Sequence, residues 1–69
     1  MNQIALTVNG APRTLPAAVT LDTVVAELSA ANTGVAAAVN EAVVPRSSWS
    51  ATALRDGDRV EILTAVQGG

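Results

Sequence analysis

One segment of this chain has the apolar spacing of an α-helix, whereas the other patterned segments alternate in the manner of β-strands. The helical segment has apolar residues at positions i, i+3, i+4 and i+7, which are Leu21, Val24, Val25 and Leu28. Thr20 is a suitable N-cap, and Asp22 favours the helix dipole because it lies in the first turn. We predict a helix from about Thr20 to Ala31, ended by left-handed residues at Asn32 and Gly34. A single helix needs a sheet beside it to bury its apolar stripe.

The segment before the helix predicts a β-hairpin. Residues Gln3 to Val8 alternate, with the larger apolar side chains on one face: Ile4, Leu6 and Val8. Asn9-Gly10 follows, and this pair is a strong hairpin signal because both residues tolerate a positive φ. The return strand is predicted around Arg13 to Leu15. Pro12 and Pro16 bracket it, and since proline cannot donate a hydrogen bond to a neighbouring strand, they favour the sheet edge.

The segment after the helix predicts a second hairpin. Val35 to Val39 alternates, Asn40-Glu41 forms the turn, and Ala42 to Val44 returns for a short distance. One face of the first strand is expected to carry Val35, Ala37 and Val39.

Two apolar residues and an acidic turn precede the last strand. Residues 47–54 are expected to be irregular or to form a short 3₁₀ turn, with Trp49 and Leu54 filling the core. Asp56-Gly57-Asp58 has the composition of a turn, which explains the two carboxylates better than a metal site or a catalytic pair does. Arg59 to Ala65 is predicted as the last strand, with two apolar residues facing inward: Val60 and Ile62.

The predicted order of elements defines an α+β domain, in which one helix packs on one face of a mixed sheet of four to five strands. The first and last strands have the cleanest alternation, so they are expected to pair in parallel at the centre of the sheet. This arrangement is the β-grasp, or ubiquitin-like, fold. We predict one domain over residues 1–65 and a flexible tail over residues 66–69.

The composition excludes most enzyme classes. The chain has no Cys, no His and no Lys, so it lacks a thiolate nucleophile, the usual general base, a Schiff-base lysine and the common transition-metal ligands. A net charge of −2 and the absence of Phe and Tyr argue against nucleic-acid binding. No apolar run is long enough to cross a membrane, and the N-terminus lacks the basic region of a signal peptide. A cytoplasmic protein that carries, binds or regulates something is therefore expected.

The sequence ends in Gly68-Gly69. Glycine has no Cβ, so two in a row form a slim tail that can thread a narrow channel and present its terminal carboxylate to another protein's active site. The alternative is a frayed chain end without a role.

Three runs of residues carry a family resemblance. In chain order they are Val44-Pro45-Arg46-Ser47 followed by Trp49, then Asp56-Gly57-Asp58-Arg59-Val60-Glu61-Ile62, and then Gly68-Gly69. Together with the Val8-Asn9-Gly10 and Leu15-Pro16 steps, these runs resemble the ThiS family, the sulfur carrier proteins of thiamine biosynthesis. The resemblance covers nearly the whole chain. Members often have Asn-Gly in place of Asn40-Glu41, and many have an aromatic residue in place of Thr64-Ala65.

The resemblance implies a carrier that catalyses nothing itself and binds no cofactor. In the family, a partner adenylyltransferase of the E1-like ThiF type uses ATP to adenylate the carboxylate of the terminal glycine, here Gly69. Sulfur from a persulfide donor such as a cysteine desulfurase then displaces AMP and leaves a thiocarboxylate. That group donates its sulfur to thiazole synthase of the ThiG type. Gly68 would form the slim neck behind the reacting residue.

The outer face of the sheet is the predicted docking surface for partners. By strand parity, Leu63 and Ala65 lie on this face of the last strand, and small residues line it on neighbouring strands: Ala5, Ala36 and Ala38. A flat apolar patch beside a functional tail is typical of an interface. We expect partner contacts at Leu63, Ala65, Ala36, Ala38 and Gln67. The alternative is the ordinary scatter of exposed apolar residues on a protein surface.

Three other functions remain open from the sequence. The small subunit of molybdopterin synthase uses the same thiocarboxylate chemistry on a diglycine. A ubiquitin-like modifier would form isopeptide bonds through the same tail. A β-grasp module that binds a partner without covalent chemistry would keep working after removal of Gly69, whereas any carrier would fail.

Overall fold

The fold is a mixed five-stranded sheet with one α-helix on one face, seen in a computed structural model that describes residues 2–28 and 34–64. In chain order the elements are β1 (Gln3–Val8), β2 (Ala11–Pro16), α1 (Leu21–Leu28), β3 (Val35–Val39), β4 (Ala42–Val44), a 3₁₀ helix (Arg46–Ala51) and β5 (Arg59–Thr64). The prediction of an α+β domain with a mixed sheet of four to five strands is confirmed, and the sheet has five strands. Across the described ranges, no helix has the length and apolar character needed to cross a membrane.

The strands lie in the order β2-β1-β5-β3-β4, so β5 occupies the centre of the sheet. β1 and β5 run parallel, with Thr7 opposite Arg59 and Val8 opposite Val60. The other neighbouring strands pair antiparallel. The predicted parallel pairing of the first and last strands is thereby confirmed. β5, which precedes the diglycine in the sequence, is paired with a strand on each side.

The second strand is longer than the prediction of Arg13 to Leu15, because pairing starts directly after the two-residue turn. Val8 pairs with Ala11, and the ladder continues until Gln3 pairs with Pro16. The two prolines therefore lie inside β2 rather than beside it. They are tolerated there because β2 is an edge strand, as predicted, and its outer side needs no donor.

The helix begins where the sequence predicts. Thr20 directly precedes α1, its carbonyl accepts from the amide of Val24, and its hydroxyl donates to the carboxylate of Asp22. Leu21, Val24 and Val25 are buried, whereas Leu28 is exposed by 37%, so the apolar stripe weakens toward its end. The predicted helix end at Ala31 and Asn32 lies outside the described residues. Gly34 has the predicted left-handed conformation, with φ of 72°.

One apolar core fills the space between the sheet and the helix. The strands contribute Leu6, Val8, Ala37, Val60 and Ile62, the helix contributes Leu21, Val24 and Val25, and the segment before β5 contributes Trp49 and Leu54. These side chains follow the period of two on the strands and the helical period on α1, as predicted. The 3₁₀ helix packs against α1 and brings Trp49 over the end of the core.

Both hairpins turn through two residues with positive φ, as the type I′ geometry requires. The values are 52° and 83° at Asn9 and Gly10, and 52° and 72° at Asn40 and Glu41. Glu41 is thus held in the left-handed region that a Cβ disfavours. Its side chain forms an ion pair with Arg59 at 3.3 Å, but the two side chains are 75% and 61% exposed, so this pair stabilises the fold little.

Replacing Glu41 by Gly is expected to raise the free energy of unfolding by about 0.5–1 kcal/mol, because relief of the positive φ outweighs the larger entropy of the unfolded chain. Urea unfolding followed by the fluorescence of Trp49 measures the change. Glu41→Ala is the matched control, since it removes the same ion pair but keeps the Cβ. Equal stabilities of the Gly and Ala variants would contradict the argument.

Candidate functional site

The candidate site starts at the end of the central strand. β5 ends at Thr64, and the residues expected to carry the chemistry follow it in sequence. Four of the predicted site residues lie outside the described residues: Ala65, Gln67, Gly68 and Gly69. The described part of the site is therefore the sheet surface from which this segment continues.

The outer face of β5 alternates strictly with the core. Val60 and Ile62 are buried, whereas Arg59, Glu61 and Leu63 are exposed. Leu63 has 69% of its surface accessible, although it is a large apolar residue. The strand thus places an apolar side chain on the outer face next to its own C-terminal end.

The neighbouring strands supply small residues around Leu63. Ala36 lies directly opposite Leu63, and Ala38 lies opposite Glu61. Ala36 is exposed and Ala38 is half-buried, so both contribute to the floor of this face. Leu63, Ala36 and Ala38, which strand parity placed on one face, are brought together in the structure.

A fourth apolar residue completes this surface and was not among the predicted site residues. Val43 on β4 pairs with Ala38 and is exposed by 76%. A shallow hollow of about 70 Å³ lies here, lined by Ala36, Ala37, Ala38, Val43, Glu61 and Leu63. We call the four residues Leu63, Ala36, Ala38 and Val43 the outer patch. The two-residue turn at Asn40-Glu41 could have revealed Val43, because it fixes the register that sets Val43 against Ala38.

Ala5 lies on the predicted face but not in the outer patch. It is exposed on β1, yet its carbonyl accepts from the amide of Gly57, at 2.7 Å. Gly57 precedes β5, whereas Leu63 lies near the other end of that strand. Strand parity therefore gave the correct face for Ala5, while the parallel register separates it from Leu63 along the strand.

The acidic turn before β5 serves the backbone. Asp56 Oδ1 accepts from the amide of Ala5 at 2.7 Å, which extends the pairing of β1 with the chain that leads into β5. Asp58 accepts from the amide of Arg55 at 2.8 Å and from the Asn40 side chain at 3.0 Å. The turn prediction is confirmed. In residues 2–28 and 34–64, no group of three or more acidic side chains is arranged to hold a metal ion.

Comparison with known proteins places this architecture in a family. The profile of the ThiS family matches residues 6–69. The crystal structure of the thiamine biosynthesis protein (ThiS) from Geobacter metallireducens is 35% identical, with a TM-score of 0.75, and the match covers 96% of this chain and 100% of that chain. The solution structure of a thiamine biosynthesis protein from the same organism matches with the same identity and TM-score, over 96% of this chain and 88% of that chain.

A curated relative is much longer than this chain. A protein named thiazole synthase from Paramagnetospirillum magneticum is 36% identical over 64 residues, which make up 93% of this chain and 20% of that protein. The chain thus spans a fifth of the length of that relative. The family profile runs through nearly the whole sequence, and the ThiS crystal structure is matched over its full length. The chain therefore belongs to the ThiS family.

Proposed function

We propose that this chain is the sulfur carrier for the thiazole moiety of thiamine, with the carboxylate of Gly69 as the site of sulfur attachment. The observation that carries the proposal is the extent of the family match, which runs to residue 69 and so includes the diglycine. The proposal requires a free carboxylate at Gly69.

The chemistry starts with activation, because a carboxylate resists nucleophilic attack. A partner adenylyltransferase joins the carboxylate of Gly69 to AMP and releases pyrophosphate from ATP. The terminal sulfur of a persulfide then attacks the acyl carbon and expels AMP. The product is an acyl disulfide. A thiol then attacks the sulfur that belongs to the donor, forms a new disulfide with it and releases the other sulfur on the glycine as a thiocarboxylate.

The residue content of the chain supports a passive role in these steps. With no Cys, His or Lys, the chain offers no group to activate ATP or to hold sulfur on a side chain. The proposal therefore places the sulfur on the backbone carboxylate of Gly69 and not on a thiol side chain. The slim Gly68-Gly69 pair suits entry into an enclosed active site, because neither residue has a Cβ.

The thiazole synthase relative supports the choice of sulfur recipient. A protein with that name contains a stretch of 64 residues that is 36% identical to this chain. That organism therefore has a stretch similar to this chain within a protein named thiazole synthase. We take a thiazole synthase of the ThiG type as the recipient of the sulfur, and a ThiF-type enzyme as the adenylyltransferase.

The outer patch is the proposed docking surface for the adenylyltransferase, with Ala65 and Gln67 as further contacts on the way to the tail. Leu63→Asp is expected to lower the rate of adenylation about 10- to 100-fold when the concentration of the carrier is limiting. The reason is that the substitution places a charge in the apolar contact with the adenylyltransferase. The fold should remain, since the side chain is 69% exposed. Pyrophosphate release measures the rate.

Ala26→Asp is the matched control for this substitution. Ala26 is exposed on α1, on the other side of the molecule, so the variant adds the same charge away from the outer patch. Its adenylation rate should equal that of the unchanged chain. An unchanged rate in Leu63→Asp would remove Leu63 from the docking surface.

Intact-protein mass spectrometry tests the proposed function as a whole. The chain is incubated with ATP, a persulfide source and the adenylyltransferase. The expected result is a mass gain equal to exchange of one oxygen atom for sulfur, which disappears when ATP is left out. Addition of thiazole synthase with its substrates should return the original mass. An unchanged mass, with the same enzyme active on another carrier, would overturn the proposal in favour of a non-covalent binding module.

A further inference from the structure

The central strand loses its neighbour on one side before it reaches the tail. β1 runs parallel to β5, and its last residue, Val8, lies opposite Val60. Beyond that point the chain turns away at Asn9-Gly10 to form β2. Ile62 and Thr64 therefore extend past the end of β1, while β3 continues beside them on the other side.

The Asn9 side chain takes the place of the missing strand. The amide of Asn9 donates to the carbonyl of Val60 at 2.8 Å. The amide of Ile62 donates to Asn9 Oδ1 at 2.8 Å, and Asn9 Nδ2 donates to the carbonyl of Ile62 at 3.2 Å. One side chain thus satisfies both backbone groups of Ile62, as another residue of a paired strand would.

We propose that Asn9 is a positioning residue for sulfur transfer, which holds the last part of β5 in the sheet so that the tail starts from a fixed base. This inference rests on the proposed carrier function. Without the Asn9 amide group, the strand from Ile62 to Thr64 would be paired, within residues 2–28 and 34–64, on its β3 side alone. Fraying there would spread the positions from which the tail enters the partner enzyme, and it would also displace Leu63 in the outer patch.

Asn40 supplies a matched comparison at the other end of the same strand. It also has φ of 52° and also opens a two-residue turn. Its amide donates to the carbonyl of Arg59 at 2.8 Å, and the Arg59 amide donates to Asn40 Oδ1 at 2.9 Å. Arg59 is the first residue of β5, so these two hydrogen bonds hold the end of the strand that is remote from the tail.

The experiment compares Asn9→Gly with Asn40→Gly. Glycine keeps the positive φ of each turn and the backbone bond to β5, so each variant removes only the side-chain amide. Amide hydrogen exchange is followed at Leu63, whose backbone groups point toward β3 by strand alternation. Asn9→Gly should speed exchange at Leu63 about tenfold, whereas Asn40→Gly should leave it unchanged, because local opening tracks the local loss of hydrogen bonds.

The kinetics of adenylation separate a positioning role of Asn9 from a merely structural one. In Asn9→Gly, the KM for the carrier in adenylation should rise about five- to tenfold with kcat retained, because the chemistry is unaltered once the tail is bound. Asn9→Asp should be intermediate, since it keeps the acceptor for Ile62 but loses the donor. Asn40→Gly should match the unchanged chain.

Each outcome decides the matter. Equal exchange at Leu63 in the two glycine variants, or equal KM values, would overturn the positioning role of Asn9. If the unchanged chain is never loaded with sulfur, the carrier function fails, and the role of Asn9 in transfer falls with it. The exchange comparison would then still show whether the Asn9 amide holds the end of β5.

Discussion

A chain that lacks Gly69 is expected to lose sulfur loading by at least about a hundredfold, because its terminal carboxylate no longer reaches the adenylylation centre. An extended residue spans about 3.3–3.6 Å, so removal of one residue withdraws the carboxylate by that length. Reacting atoms must approach to about 3–3.5 Å, and a misplacement of about 1 Å can cost a hundredfold in rate. The carboxylate left on Gly68 cannot recover this distance if the docked sheet stays in place.

The control is a substitution that preserves the length of the tail. Gly69→Ala keeps the reach and adds one methyl group, so it separates the length of the tail from its width. Both variants should unfold at the same urea concentration as the unchanged chain, because position 69 lies beyond β5. Efficient loading of the chain that ends at Gly68 would refute a site of fixed reach and would favour a partner that accepts tails of different length.

Replacing Trp49 by Ala is expected to remove a large part of the stability of the fold. The side chain is 7% exposed, and its Nε1 donates to the carbonyl of Val44 at 2.8 Å. Truncation of a buried Trp to Ala costs about 3–5 kcal/mol. A domain of this size has roughly 3–10 kcal/mol in total, so the variant is expected to lose about a third of its stability or more and to unfold at a much lower urea concentration. Trp49 is the chain's one aromatic residue, so circular dichroism must replace fluorescence as the probe.

Trp49→Phe divides this effect into packing and hydrogen bonding. Phe keeps much of the buried ring but leaves the Val44 carbonyl without its indole donor, so a loss of about 1–2 kcal/mol is expected. The second hairpin should be the first region to loosen, because the indole ties β4 to the 3₁₀ helix. Urea midpoints near that of the unchanged chain in both variants would mean that Trp49 is dispensable for the core.

The elements that sequence periodicity predicted well are those whose environment is the same along their whole length. β1, β3 and β5 each bury one face, so the alternation of apolar residues in the sequence identifies the buried face. The core residues on these strands are Leu6, Val8, Ala37, Val60 and Ile62. The turn at Asn9-Gly10 follows from two residues that tolerate positive φ, whereas in the turn at Asn40-Glu41 only Asn40 does so. The resemblance to the ThiS family implied the same order of helices and strands as the periodicity did.

The features that sequence periodicity did not predict depend on the register between neighbouring strands. Parity placed Ala5 on the outer face, but the parallel register with β5 sets it at the far end from Leu63. Val43 escaped notice because Ala42 to Val44 is too short to show a pattern of its own. The hydrogen bonds between the Asn9 side chain and the backbone of Ile62 join residues that are 53 positions apart, so the local sequence could not reveal them.

The central position of β5 also bears on how the protein is made. β5 is the last described strand in the chain, yet β1 and β3 both depend on it for their pairing within the sheet. Before this strand emerges from the ribosome, the two hairpin segments have no strand to join them, so the chain cannot close into one core. Interrupted translation yields products that stay open to proteases. A folded molecule is thus one in which synthesis has reached the segment just ahead of Gly68-Gly69.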